Sequence, residues 1–140
     1  IIYKQGIEGV AVDYEESEKW SRLAAEQGLA SGEYSLGLIL VGGYLDIPKE
    51  EAFREGVDWL TLAAKQGYPK AQFMLSVMYH SGRGVKQNDL NAYMWASVAS
   101  INGETNREVT SKIKARLTRD QIEDAQEKAT ICIKSEYEVC

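Results

Sequence analysis

Small and apolar side chains recur at helical spacing in blocks, and each of the first blocks closes on a glycine. Ser17, Trp20, Leu23, Ala24 and Gln27 share one stripe, with Glu15, Glu18, Lys19, Arg22 and Glu26 between them. Such spacing predicts an amphipathic helix. Asp13 is placed to cap it, with Glu16 three residues on completing an acidic capping box. A short helix over about 31–41 carries Gly32, Leu36, Gly37 and Leu40 and breaks at Gly42 and Gly43. Pro48 suits the first position of the next helix, which runs through Ala52, Gly56, Trp59, Leu60, Ala63 and Ala64 to Gly67. From Pro69 a further helix puts Ala71, Leu75, Ser76 and Tyr79 on one face. Gly82, Arg83, Gly84 and Val85 form a turn, Asn88 caps, and Ala92, Trp95, Val98 and Ala99 face inward before Gly103. Val109, Ile113 and Leu117 predict a helix over 105–117. Thr118 with Gln121 is a capping box opening a last helix, with Ile122, Ala125, Ala129 and Cys132 on one face.

Three blocks repeat one phrase. Trp20, Leu23, Ala24 and Gly28 answer to Trp59, Leu62, Ala63 and Gly67, and to Trp95, Val98, Ala99 and Gly103, with the small residues Ser17, Gly56 and Ala92 three before each Trp. The tryptophans stand 39 and then 36 residues apart, a period expected of a helical solenoid. Small residues let two helices of a hairpin approach to about 8 Å, and each Trp is expected to fill the volume between successive hairpins. On that expectation Trp59→Ala costs about 3–5 kcal/mol.

Composition narrows the classes. The 140 residues carry a net charge of −5, with no basic cluster to suit nucleic acid and no apolar run of the roughly 18–20 residues that span a bilayer. The opening residues, Ile1 to Val12, read as the end of a helix and a glycine loop, so the sequence reads as a processed or trimmed product in which any signal peptide would be invisible. Cys132 and Cys140 are the two cysteines. On one straight helix eight residues would hold them about 12 Å apart, beyond the roughly 4.4–6.8 Å of a disulfide. A bridge therefore needs the chain to turn after about Ser135. Two unpaired thiols near the end, or a terminal disulfide that implies an oxidising compartment, both fit; metal binding fits worst, because His80 is the only histidine.

Taken together, the phrase resembles the Sel-one-like repeats, cousins of the tetratricopeptide repeats. The third unit matches through Ala71, Leu75, Tyr79, Gly82, Gly84, Val85, Ala92, Trp95, Ala99 and Gly103, departing at Ser76, which stands for Gly, and at Asn88, which stands for Asp. The second keeps Leu36, Gly37, Trp59, Ala63, Ala64 and Gly67, with Leu40 for Tyr and a longer loop. The first keeps Tyr3, Gly6, Gly9, Val10 and Asp13, and Leu117 to Gln126 is similar to the closing helix of bacterial members. The resemblance implies an all-α fold, a right-handed α/α superhelical solenoid of helix-turn-helix repeats with a C-terminal capping helix. Its single domain, 1–140, divides into a partial first repeat 1–30, a second 31–68, a third 69–104, and a degenerate fourth with capping helix over 105–140.

Parts for catalysis are missing. There is no metalloprotease helix motif, no phosphate loop and no nucleophile elbow; Gly82 to Gly84 reads as a turn, and the carboxylates of first helical turns suit the helix dipole. No enzyme and no cofactor are expected. The resemblance implies that the first helix of each hairpin lines a concave binding side, placing Tyr34, Leu38, Val41, Lys70, Phe73, Val77 and His80 there. That stripe is more apolar than a bare surface requires, which suits either a partner site or packing under the fourth unit. The expected function is a non-catalytic interaction module or adaptor holding a protein or peptide partner, without nucleic acid or membrane insertion, and with the oligomeric state open. The alternative is a periplasmic inhibitor or immunity protein against an exported toxin enzyme, and a bacterial periplasmic or exported location is favoured over the cytoplasm. A fragment of a larger regulator also fits. Cysteine-rich relatives linked to cell-wall chemistry have repeated cysteine pairs that this sequence lacks.

Overall fold

Residues 13–140 are described by the structure, a computed structural model, and they form seven helices. These are α1 (Tyr14–Glu26), α2 (Ala30–Val41), α3 (Lys49–Lys65), α4 (Pro69–Ser81), α5 (Asp89–Ile101), α6 (Arg107–Lys114) and α7 (Arg119–Lys134). No strand occurs among the described residues. From α1 to α5 each helix packs on the next, which makes an all-α solenoid. The helix-and-loop reading of Ile1 to Val12, with Tyr3, Gly6, Gly9 and Val10, lies outside the described residues.

The helices begin where polar side chains satisfy the first backbone amides. Asp13 accepts from the Glu16 amide at 2.9 Å, and Asn88 from the Asn91 amide at 3.0 Å. Thr118 and Gln121 form a reciprocal capping box. Glu16 does not complete the box expected at α1. Its carboxylate accepts from the Trp20 indole at 2.7 Å instead, because the side chain points along the helix. Pro48 is the N-cap of α3 rather than its first helical residue.

Close approach explains the small residues. A side chain at Gly37 would stand 2.7 Å from Leu60 Cγ, and one at Gly56 would stand 2.6 Å from Val41 Cγ1, so α2 and α3 touch backbone to backbone. Ser76 and Ala92 hold the corresponding places between α4 and α5, and both are fully buried. Gly84 is required twice over: its φ is +72°, and a Cβ would collide with the Phe53 carbonyl. That contact fixes the α4–α5 turn against α3.

The three tryptophans are not equivalent core residues, as their shared phrase suggested. Trp95 is 4% exposed, Trp59 is half-buried, and Trp20 is 61% exposed. Trp59 packs on a cluster of Ala25, Leu36, Leu40 and Ala52 that reaches back to α1. Trp95 lies in the main core with Val57, Leu60, Leu75, Ile113 and Cys132. Among the described helices α1 packs broadly only on α2, so nothing comparable covers Trp20.

The C-terminal part also departs from a fourth hairpin. α6 spans Arg107–Lys114 rather than 105–117, and it buries only Ile113. It touches α5 lightly, while α7 lies along α5. The physical reason is the stripe offered: Ala125, Ala129 and Cys132 are small and fully buried, whereas α6 is too short and polar to cover a helix face. After Ser135 the chain reverses through Glu136 and Tyr137, both with positive φ. The reversal brings the Cys140 Cα to 4.7 Å from that of Cys132, and the two form a disulfide.

Candidate functional site

A groove of about 480 Å³ lies between α2 and α4, within the range of small recognition sites. Tyr34, Leu38 and Val41 come from α2, and Met74, Val77 and Met78 from α4; Gly42, Tyr44 and Arg83 from the following turns complete it. Helical periodicity brings these side chains to one face, since residues three and four apart lie above one another. The walls also seat on the interior: Val41 and Met78 are core residues, and Tyr34, Met74 and Val77 pack against the core. Aromatic contacts brace the edges. Tyr44 stacks on Tyr14 of α1 with ring centroids 4.1 Å apart, and Tyr34 meets Tyr68 at 5.2 Å. Burial, with smaller contributions from Tyr68 and Glu104, raises the Tyr34 hydroxyl above the usual tyrosine range and keeps it neutral.

Of the residues expected on the binding side, Tyr34, Leu38, Val41 and Val77 meet in this groove. Lys70, Phe73 and His80 do not line it. Phe73 is partly exposed and Lys70 exposed. His80 turns to the start of α5, where its Nδ1 lies 2.7 Å from the Asp89 carboxylate. Arg116 reaches the other Asp89 oxygen at 3.2 Å. The three side chains tie the end of α4, the start of α5 and the segment after α6 into one strut. Met74, Met78, Tyr44 and Arg83 join the groove although periodicity alone did not select them. The sequence signal for Arg83 was available in its turn between two glycines, which presents the side chain outward.

A second feature ties the groove's helices to their neighbours. Before each phrase glycine stands a carboxamide: Gln27, Gln66 and Asn102. Gln66 Nε2 donates to the Glu33 carboxylate at 2.6 Å and to the Gly28 carbonyl at 3.0 Å. Asn102 Nδ2 donates to Gln72 Oε1 at 2.9 Å and to the Tyr137 hydroxyl at 3.0 Å. Fully buried Gln72 in turn donates to the Ala64 carbonyl at 3.0 Å. The Gln66–Glu33 and Asn102–Gln72 bonds each join the two helices of one hairpin, whereas the Gln66–Gly28, Gln72–Ala64 and Asn102–Tyr137 bonds link a hairpin to what flanks it. On the α1 to α3 side, Arg22 pairs with Glu55 at 3.0 Å. Burial alone would raise the Glu55 carboxyl, but the Trp59 indole and Arg22 outweigh it and hold the group below the usual range.

Among the described residues no group of His, Cys, Asp and Glu is arranged to hold a metal, and no helix is long and apolar enough to cross a membrane. A family profile described as "Sel1 repeat" matches residues 1–29, 30–68 and 69–104. The chain is 35% identical over 88 residues to the alginate biosynthesis protein AlgK of Azotobacter vinelandii, covering 62% of this chain and 18% of that protein. It is 31% identical over 118 residues to the chitin synthase regulator SKT5 of Saccharomyces cerevisiae, covering 82% and 16% respectively. Among solved structures, c5321, described as a protective antigen of uropathogenic Escherichia coli displaying an SLR fold, superposes with a TM-score of 0.77 at 26% identity. That match covers 89% of this chain and 27% of c5321. The chain thus spans less than a third of the length of each of these three proteins.

Proposed function

The chain belongs to the Sel1 repeat family, whose repeats are non-catalytic, and on that premise we propose that it is a protein-interaction module whose protein or peptide partner lies along the α2–α4 groove. The observation that carries this reading is the groove's surface: Tyr34, Leu38, Met74 and Val77 are only partly buried, although Tyr34, Met74 and Val77 pack against the core. Methionine adds adaptability, because its unbranched, polarizable side chain conforms to differing partners. Side-chain hydrogen bonds from the end of α3 to α2 and from α4 to α3 restrain the groove's walls, which lowers the ordering cost of binding. The Cys132–Cys140 disulfide favours an oxidising compartment, in keeping with export from a bacterial cytoplasm.

A random dodecapeptide library displayed on phage, selected on the immobilised protein, tests the reading. Selected peptides should lose binding to Leu38→Asp and Val77→Asp and keep it for Leu62→Asp, whose exposed side chain lies on α3. Circular dichroism establishes that each variant retains its helices. Peptides that bind the two groove variants as well as the parent overturn the groove assignment.

A further inference from the structure

The α2–α4 groove does not end in apolar surface. Arg83 lines it and also lines a second hollow of about 530 Å³, formed where the α4–α5 turn meets α3. Arg54 and Lys86 lie in that second hollow, with Glu50 as its one lining carboxylate. Arg22, Arg116, Arg119, Lys112 and Lys128 all have carboxylate partners. Arg54, Arg83 and Lys86 have none within ion-pair distance among the described residues. Other cations among the described residues, Lys49 and Lys70 for example, are likewise without an ion pair; what sets Arg54, Arg83 and Lys86 apart is that the three share one hollow, on a chain of net charge −5.

The central cation is also held in place. Gly82 and Gly84, on either side of Arg83, both have positive φ, and Gly84 is wedged against the Phe53 carbonyl. The guanidinium lies over the Phe53 ring, 5.9 Å from its centroid. Such an arginine loses little freedom when it meets a carboxylate. An apolar groove that runs into a preorganised cationic hollow has a direction, and a matching ligand must have one too.

We infer that the occupant of the groove is an extended peptide segment whose apolar residues lie between α2 and α4 and whose following acidic residues meet Arg83, Arg54 and Lys86. The inference rests on the groove reading and adds the partner's chemistry to it. The acidic remainder of the surface repels such a segment in other orientations, so charge sets specificity and orientation more than affinity.

Fluorescence anisotropy with labelled synthetic peptides tests it. One probe carries four leucine and phenylalanine residues followed by three aspartates; two others carry asparagines or lysines in place of the aspartates. The aspartate probe should bind about tenfold or more tighter than the asparagine probe, and its advantage should shrink as NaCl rises from about 50 to 300 mM. The double variant Arg54→Glu with Arg83→Glu should lose the aspartate probe and gain the lysine probe, a gain that damaged folding does not produce. If the aspartate and asparagine probes bind alike and both are lost in Leu38→Asp, acid recognition is wrong while the groove reading stands. If no probe binds, the inferred ligand is wrong, and the phage selection decides the groove reading separately.

Discussion

Gln66 donates its side-chain amide to the buried carboxylate of Glu33 at 2.6 Å, so the end of α3 is tied to the start of α2 within one hairpin. The next hairpin makes the same connection with neutral partners, Asn102 to Gln72. The two pairs are one device built once with a charge and once without. The charged version carries a cost, because burial takes a carboxylate from water and one amide bond restores only part of its solvation.

That cost has a sign in pH. Burial raises the Glu33 carboxyl above its ordinary 4.5, and the Gln66 bond offsets this only in part. The folded state therefore binds the Glu33 proton more tightly than the unfolded state does. The penalty is absent below about pH 4 and grows as pH rises through the folded value. Glu33→Gln, which copies the Gln72 arrangement, should raise stability at pH 7 by about 1 kcal/mol. At pH 4 it should give little gain. Thermal melts at the two pH values check this; an equal gain at both would refute the buried-charge account.

The disulfide acts on a short loop. Closing the eight-residue separation between Cys132 and Cys140 is worth about 2.5 kcal/mol by chain entropy. It also holds the reversal that brings the Tyr137 hydroxyl to Asn102. Cys140→Ser should lower stability by about that amount, and dithiothreitol should lower the parent's melting temperature without lowering the variant's. Exchange of the Tyr137 amide, which donates to the Cys132 carbonyl at 2.8 Å, should quicken in the variant.

Ser76 stands in α4 where glycine stands in α2, and its hydroxyl is buried with no hydrogen-bond partner among the described residues. Alanine keeps the close contact and removes the unsatisfied group. Ser76→Ala should therefore gain about 1 kcal/mol, read from urea denaturation. A loss would show that the hydroxyl has a partner in solution.

Much of the fold was legible because its signals are local and periodic. Asp13, Asn88 and Thr118 cap where their spacing placed them, and the small residues Gly37 and Gly56 mark a true close approach. What periodicity does not carry is angular offset and long-range partners. The stripe of Lys70, Phe73, Val77 and His80 differs by about one position from Met74, Val77 and Met78, which line the groove; spacing alone does not separate faces so near in angle. The path of α7 onto α5 was hidden because both α6 and α7 show helical stripes, and only the depth of contact tells them apart. The carboxamides Gln66 and Asn102 were in plain view beside the glycines, but their partners lie 30 or more residues away.

The tryptophans give the sharpest test of position against motif. All three belong to the same phrase, so a motif-level account assigns each the same cost on truncation. The structure grades them instead. Trp95 is buried in the main core, and Trp95→Ala should cost about 3–5 kcal/mol. Trp59 is half-buried and donates to Glu55 at 2.9 Å. Trp59→Ala should cost about 2 kcal/mol, below the full core value, and the loss should ease at acid pH. The reason is that Glu55, held below its usual range by Trp59 and Arg22 against the effect of burial, stabilises the fold above its unfolded pKa. That contribution disappears as pH falls through the lowered folded value. Trp20→Ala should change stability by no more than about 0.5 kcal/mol, because its ring is 61% exposed and its indole bond to Glu16 is itself exposed. Urea denaturation of the three variants at pH 7 gives the order directly. Equal losses would show that α1 is covered in solution as fully as α5, and that the exposed face at Trp20 is not a feature of the folded protein.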